Sequence, residues 1–424
     1  LFCLSIACTM LAVSARSSYK RPDSPLLFYP LGMTQAANNL AFISSNADGR
    51  FASGKLVFID AKAAADKLRS QYSNENKRST VTIKDYVLSQ TDVPTLSFSP
   101  QIVQSRLWLA HRLNDEALSF PLTQQGTLAC NPAAVQQDCS SQQARVLLNA
   151  DDPVKLIALQ NDTSQVVMAA VFDHSHKIQT FSYTPQEPQK VTAAQPIALK
   201  SFLEPIEKKK KLSKRIKDPV FVARDITQLG RGNDGRLAVV LETFPQGGGA
   251  QFYSPYLLLL PTKNILENQP LQTSDGEVVD LNALTGAFSV RAVVALPDSN
   301  TLFVVMHKPD MLVRIDLNPA RVVAASNTTC IYPIQLQLDT AKNLYLTCYK
   351  GDSVQQYNPQ TLQVQQSQYL PGIGPAAAVI DEQAGYLYVS SLLNDSIAVL
   401  SLQDFTWLGS VISQQQVDRQ GRKR

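Results

Sequence analysis

Histidine is scarce in this chain: four residues in 424, at His111, His174, His176 and His307. No H-E-x-x-H, G-x-S-x-G, complete P-loop (G-x-x-x-x-G-K-S/T) or C-x-x-C-H motif occurs, so the usual sequence marks of zinc proteases, serine hydrolases, nucleotide-binding loops and c-type haem attachment are missing. Gly247-Gly248-Gly249 does not replace them as a phosphate cradle, because apolar strand sequence follows it where a helix would be needed. A surplus of one charge is also lacking. Thirty-nine Lys+Arg stand against 35 Asp+Glu, a net +4, too little to make the whole chain a nucleic-acid binder. Beyond the N-terminus no apolar run reaches the roughly 18 residues a membrane-spanning helix requires. What is abundant is hydrophobic side chain, 44% of the residues, enough for a sizeable core and too much for wholesale disorder.

The first thirteen residues, LFCLSIACTMLAV, have the apolar character of a signal-peptide core, and Val13-Ser14-Ala15 supplies small residues for cleavage after Ala15. No basic residues precede this stretch, so a few upstream residues are expected. Lipoprotein processing at Cys8 is a second reading, although Ser5 stands where such a site prefers a branched aliphatic residue; a buried helix is a third. Four cysteines follow: Cys130, Cys139, Cys330 and Cys348. They allow three pairings, of which Cys130 with Cys139 and Cys330 with Cys348 are the simplest. No C-x2-C spacing and no adjacent His favours a metal, which leaves disulfides in an oxidising compartment, or isolated buried thiols, as the alternatives.

The body of the chain repeats. Pro375-Ala-Ala-Ala-Val-Ile leads to a turn at Asp381, then Tyr386-Leu-Tyr-Val-Ser-Ser, the tight turn Asn394-Asp395-Ser396, and Ile397-Ala-Val-Leu. The same order recurs from Pro333 through Asp352 and from Val290 through Asp310, and less regularly from Pro94 and Pro153. Copies from Pro30 and Pro219 carry enlarged second turns, over residues 46–54 and 244–255. Seven copies average about 56 residues, a size typical of four-stranded propeller blades. Each small sheet is apolar on both faces and cannot hold its fold alone; packing seven around an axis buries those faces. The sequence therefore predicts an all-β, seven-bladed β-propeller of four-stranded antiparallel blades over residues 30–412. A signal peptide would occupy 1–15 (or end at Cys8), a linker or ring-closing strand 16–29, and a polar, basic tail 413–424. The alanine-rich stretch near 61–70 reads as an inserted helix.

Residues 387–400, Leu-Tyr-Val-Ser-Ser-Leu-Leu-Asn-Asp-Ser-Ile-Ala-Val-Leu, resemble the YVTN-type β-propeller repeat. Residues 25–60, with Ser44-Ser45-Asn46 and Asp48-Gly49-Arg50, are similar to the first blade of bacterial cell-envelope lipoproteins of that fold. The resemblance implies a propeller blade and an envelope setting, periplasmic or outer-membrane-associated, without implying a chemistry.

In a propeller the turn between second and third strands lies on the same face as the link into the next blade. Both enlarged turns therefore share a face with the basic link before the fourth blade. The expected binding face contains Lys208, Lys209, Lys210, Lys211, Lys214 and Arg215 of that link, with Phe51, Phe252 and Tyr253 in the turns. Without the seven positive residues of the link and the four of the tail, 28 positive residues face 35 negative ones. A cationic loop on an acidic body suits an anionic surface or an acidic protein; a solvated, flexible link is the plainer reading. No aromatic residue interleaves the run, which argues against nucleic acid.

Asp173-His174-Ser175-His176 falls at the tight turn filled by Asn-Asp-Ser elsewhere and reads as a polar turn rather than a metal site. His111 aligns with the strand ends Cys348 and Ser391, as a packed or edge residue. The channel-lining first strands are apolar or amide-bearing except for Arg224, Asp225 and Arg291, which could form an ion pair or an anion site. The expected function is non-enzymatic: a monomeric binding or scaffolding module of the bacterial envelope, needing no cofactor or metal. Its partner would be a protein or an anionic envelope polymer, and membrane contact would come only through a lipid anchor or the basic loop. The alternative is a propeller hydrolase or lactonase with a metal at the channel mouth, which would gather three or more carboxylate or His groups there.

Overall fold

Alternate side chains of a single strand enter two different cores. In Tyr386–Ser391, Tyr386 and Tyr388 join one apolar cluster while Leu387 and Val389 join the next. Leu344–Cys348 divides likewise, Leu344 and Leu346 to one side and Tyr345 to the other. This two-sided burial hides the usual polar-apolar alternation of a half-exposed strand. A computed structural model describes residues 30–44, 54–75, 77–94, 97–112, 114–172, 175, 177–209, 220–230, 234–244, 254–391 and 393–412. Within them, seven antiparallel sheets form the seven blades of a β-propeller, and seven apolar clusters fill the spaces between neighbouring blades.

The innermost strands are Pro30–Ala36, Ser97–Val103, Pro153–Asn161, Val220–Leu229, Ser289–Ala295, Pro333–Leu338 and Pro375–Asp381. All begin within three residues of the repeat starts read from the sequence. Each carries a register shift near its beginning, such as between Ala223 and Asp225 or between Val290 and Ala292. A bulge leaves backbone N–H groups without a ladder partner. Side chains supply the missing acceptors: Ser390 Oγ receives the Ala377 N–H at 2.9 Å, and Gln335 Oε1 receives the Ala378 N–H of the next blade at 2.5 Å.

The expected inserted helix is longer than the sequence suggested, running Ala61–Glu75. Asp60 Oδ1 caps it by accepting the Ala63 N–H at 2.8 Å, and Ala61, Ala64, Ala65 and Leu68 form its buried stripe. It belongs to the connection between the third and fourth strands of the first blade. Its stripe packs among Leu408 and Val411 of the seventh blade. The strand that follows, Ser79–Thr82, pairs in parallel with Gly409–Ile412 as a fifth strand of blade seven. Gly409 admits this neighbour, since a β-carbon there would lie 2.2 Å from the Ser79 carbonyl oxygen. The connection in the second blade does something similar: Gln90 of blade one exchanges hydrogen bonds with Val135 and Gln137 at 2.7 and 2.8 Å. Two blades thus reach back to the outermost strand of the blade before them.

The local cysteine pairs are disulfides. Cys130–Cys139 closes the second blade's outer connection, and Cys330–Cys348 ties the link between blades five and six to a central strand of blade six. Such bonds fit an oxidising environment. No helix among the described residues is long and apolar enough to cross a membrane. A helix not foreseen from sequence, Lys200–Lys209, precedes blade four and buries Phe202 and Leu203; Pro205 within it obscured the pattern.

Candidate binding site at the channel mouth

All seven innermost strands line a central cavity of about 630 Å³. Most of its wall is amide or aliphatic, with Gln35, Gln101, Gln335 and Gln337 among Met33, Ala376, Ala377 and Val379. The charged residues occupy one arc: Lys155 of blade three, Arg224 and Asp225 of blade four, and Arg291 of blade five. Arg224 and Arg291 sit at equivalent places, each at the register shift of its innermost strand.

Asp225 lines the cavity, and its carboxylate is fully engaged. Oδ1 accepts the Ile226 N–H at 2.9 Å and contacts the Lys155 ammonium; Oδ2 accepts the Val293 N–H of blade five at 2.8 Å. The second acid of the arc, Glu242, escaped the sequence reading because it lies on the second strand of its blade. It is 1% exposed. Arg224 Nε donates to its Oε2 at 2.8 Å, and Oε1 receives the Val290 N–H at 2.6 Å together with the Ser289 hydroxyl. The only cue in sequence was a lone acid inside the apolar run Leu237–Leu241 and Thr243, where a buried charge demands partners.

Both carboxylates therefore cross-link blades four and five, and each is paired with one cation. Arg291 is left over. Its Nη2 donates to the Tyr332 hydroxyl at 3.3 Å and its guanidinium lies 5.1 Å from that ring's centre, but its buried Nε has no hydrogen-bond partner. With both acids satisfied, the mouth offers ligand donors rather than a free base. Among the described residues no group of three or more His, Cys, Asp or Glu is placed to hold a metal ion.

The histidines have structural settings where they can be described. His111 is 2% exposed, with Nδ1 2.9 Å from Glu116 Oε1, and so is packed rather than at an open edge. His307 Nδ1 contacts Asp310 at the tight turn of blade five. Asp173, His174 and His176 lie outside the described residues. So do Phe51, Phe252, Tyr253, Lys210, Lys211, Lys214, Arg215, Cys8, the N-terminal apolar segment and the basic tail. Lys208 and Lys209 complete the backbone of helix Lys200–Lys209.

No protein-family model matches the chain, and no curated protein matches its sequence. Solved structures do match its fold. Kuenenia stuttgartiensis hydrazine synthase aligns with a TM-score of 0.55 at 12% identity, over 89% of this chain and 96% of that one. Saccharomyces cerevisiae Sqt1 gives 0.52 at 8% identity, over 93% and 89%. The WD40 β-propeller domain of Doa1 gives 0.52 at 8%, over 87% and 91%. Identities this low carry the architecture alone.

Proposed function

We propose that this chain is a non-enzymatic binding or scaffolding module of the bacterial cell envelope, which recognises a protein or an anionic surface polymer through one propeller face. The observation that carries the reading is the engagement of Asp225 and Glu242: the acids nearest the channel are spent holding blades together, so donors and a cation face the ligand. The exported setting rests on the two disulfides and on the apolar stretch at 1–13. The repeat's resemblance to YVTN-type envelope propellers supports the same setting. The basic link with Lys208–Lys211, Lys214 and Arg215, and the turns with Phe51, Phe252 and Tyr253, would widen the same face, because all connect strands at the end where blades are linked.

The test is affinity capture from envelope extract with the chain lacking residues 1–15, in parallel with ester and lactone hydrolysis assays supplemented with Ca²⁺ or Zn²⁺. Saturable capture, weakened by neutralising Lys208–Lys211 to Gln, is the expected result. Metal-dependent turnover abolished by a channel substitution would replace this reading with a hydrolase.

A further inference from the structure

The surplus cation at the channel mouth has a companion. The Lys350 ammonium lies 4.9 Å from the centre of the same Tyr332 ring that Arg291 approaches. Neither cation has a carboxylate partner among the described residues. The one acid in the cluster, Asp310, is occupied by the His307 ring and by the Tyr332 N–H at 3.0 Å. Two cations thus share one aromatic ring, and among the described residues neither has an anion to offset its charge there.

Tyr332 sits at a blade junction with a constrained backbone. Its φ is +56°, a left-handed value that the matching residue before blade seven meets with glycine, Gly374. A β-carbon on Gly374 would lie 2.6 Å from Leu393 and 3.1 Å from Tyr349. Tyr349 in turn packs edge-on against Tyr332 at 6.0 Å. Leu393 is 58% exposed, and Ile331, next to Tyr332, 57%. The junction thus carries two cations, an aromatic pair and two open aliphatic side chains, near a cavity whose wall is amide and aliphatic.

We propose that Arg291 and Lys350, presented by Tyr332, form a carboxylate subsite for an acidic peptide segment whose neighbouring apolar side chain covers Ile331 or Leu393. The half-buried Arg291 guanidinium and the exposed Lys350 ammonium supply charged donors for a carboxylate. The flanking aliphatic groups and amide wall favour a peptide over a sugar-phosphate polymer, which would leave the aliphatic patch uncovered. The proposal rests on the binding reading above and names the chemistry of one partner.

Fluorescent hexapeptides test it: one alternating Glu and Leu, one alternating Glu and Ser, with polyphosphate of equal charge as the third probe. Binding is expected in the order Glu-Leu, Glu-Ser, polyphosphate. Lys350→Gln, at an exposed site that the fold does not need, should weaken the first at least about tenfold. Arg291→Gln should do the same, and Arg291→Lys should recover part of the loss. Equal binding by wild type and both Gln variants, or polyphosphate binding as tightly as Glu-Leu, overturns the subsite. If the variants still capture the envelope partner while peptide binding is absent, the subsite falls and the binding-module reading survives; loss of all capture by wild type removes both.

Discussion

The carboxylate of Asp352, in the tight turn of blade six, accepts the backbone N–H of Gly374 at 2.9 Å, directly before blade seven begins. Its other oxygen takes the Gly372 N–H, also at 2.9 Å. The same clamp joins Asp115 to the Asp152 N–H at 2.9 Å and Asp310 to the Tyr332 N–H at 3.0 Å, and all three clamped residues have φ between +56° and +60°. At these three junctions one aspartate fixes the entry of the next innermost strand.

Asp352→Ala should therefore strip acceptors from two N–H groups at one junction and cost about 1–3 kcal/mol. Thermal unfolding would show a lowered midpoint, with Asp352→Asn recovering part of it. An unchanged midpoint would mean water replaces the clamp without loss.

Gly409→Ala should dislodge the strand Ser79–Thr82 from blade seven, since its methyl group would meet the Ser79 carbonyl. Limited proteolysis is expected to cut between residues 61 and 82 in the variant well before it cuts there in wild type. Equal cleavage rates would show that the strap tolerates the methyl.

Removing the Cys330–Cys348 bond by a double Cys→Ser change frees two positions 18 apart in sequence. Loop-closure entropy puts the loss near 3 kcal/mol. Chemical denaturation should show it as an earlier midpoint that reducing agent shifts less than it shifts the wild type. A reductant effect of undiminished size would assign the redox sensitivity to Cys130–Cys139 instead.

Burial, with the hydrogen bond that its hydroxyl donates to Asp66 at 2.7 Å, raises Tyr386 to about 12. Burial likewise raises Tyr345, Tyr357 and Tyr388. A raised acid in the native state means that the unfolded chain releases its proton first. The stabilisation is complete below about pH 10, the ordinary tyrosine value, and is lost as pH climbs through about 12. Stability measured from pH 9 to 12 should fall, and Tyr386→Phe should make the fall shallower. A flat profile would contradict these shifts.

Strand order and blade number were legible because closed rings repeat their solution: two-sided apolar strands, a proline at the inner edge, an aspartate at the clamp. Excursions from the repeat were less legible. The helix beginning at Ala61 was visible through its alanines, but its extension to Glu75 passes through Arg69, Ser70 and Gln71, where periodicity fades and contacts decide: Arg69 donates to Ser401 at 2.9 Å and lies over the Tyr386 ring. At the channel, Arg224, Asp225 and Arg291 stand out in sequence because they interrupt an apolar strand. Glu242 could not be assigned to them, since its role depends on a bulge in a different strand. The cation pair on Tyr332 was invisible, because Arg291, Tyr332 and Lys350 come from three separate segments and meet only after two blades dock.

The strap over Ser79–Thr82 has a consequence for synthesis. Its dock, Gly409–Ile412, is made some 330 residues later. A ribosome therefore releases the first blade with an unsatisfied strand edge and a greasy helix stripe, and neither can be covered until almost the whole chain has emerged. Until then the nascent protein carries an unpaired strand edge and an uncovered apolar stripe, the kind of surface that pairs with other chains.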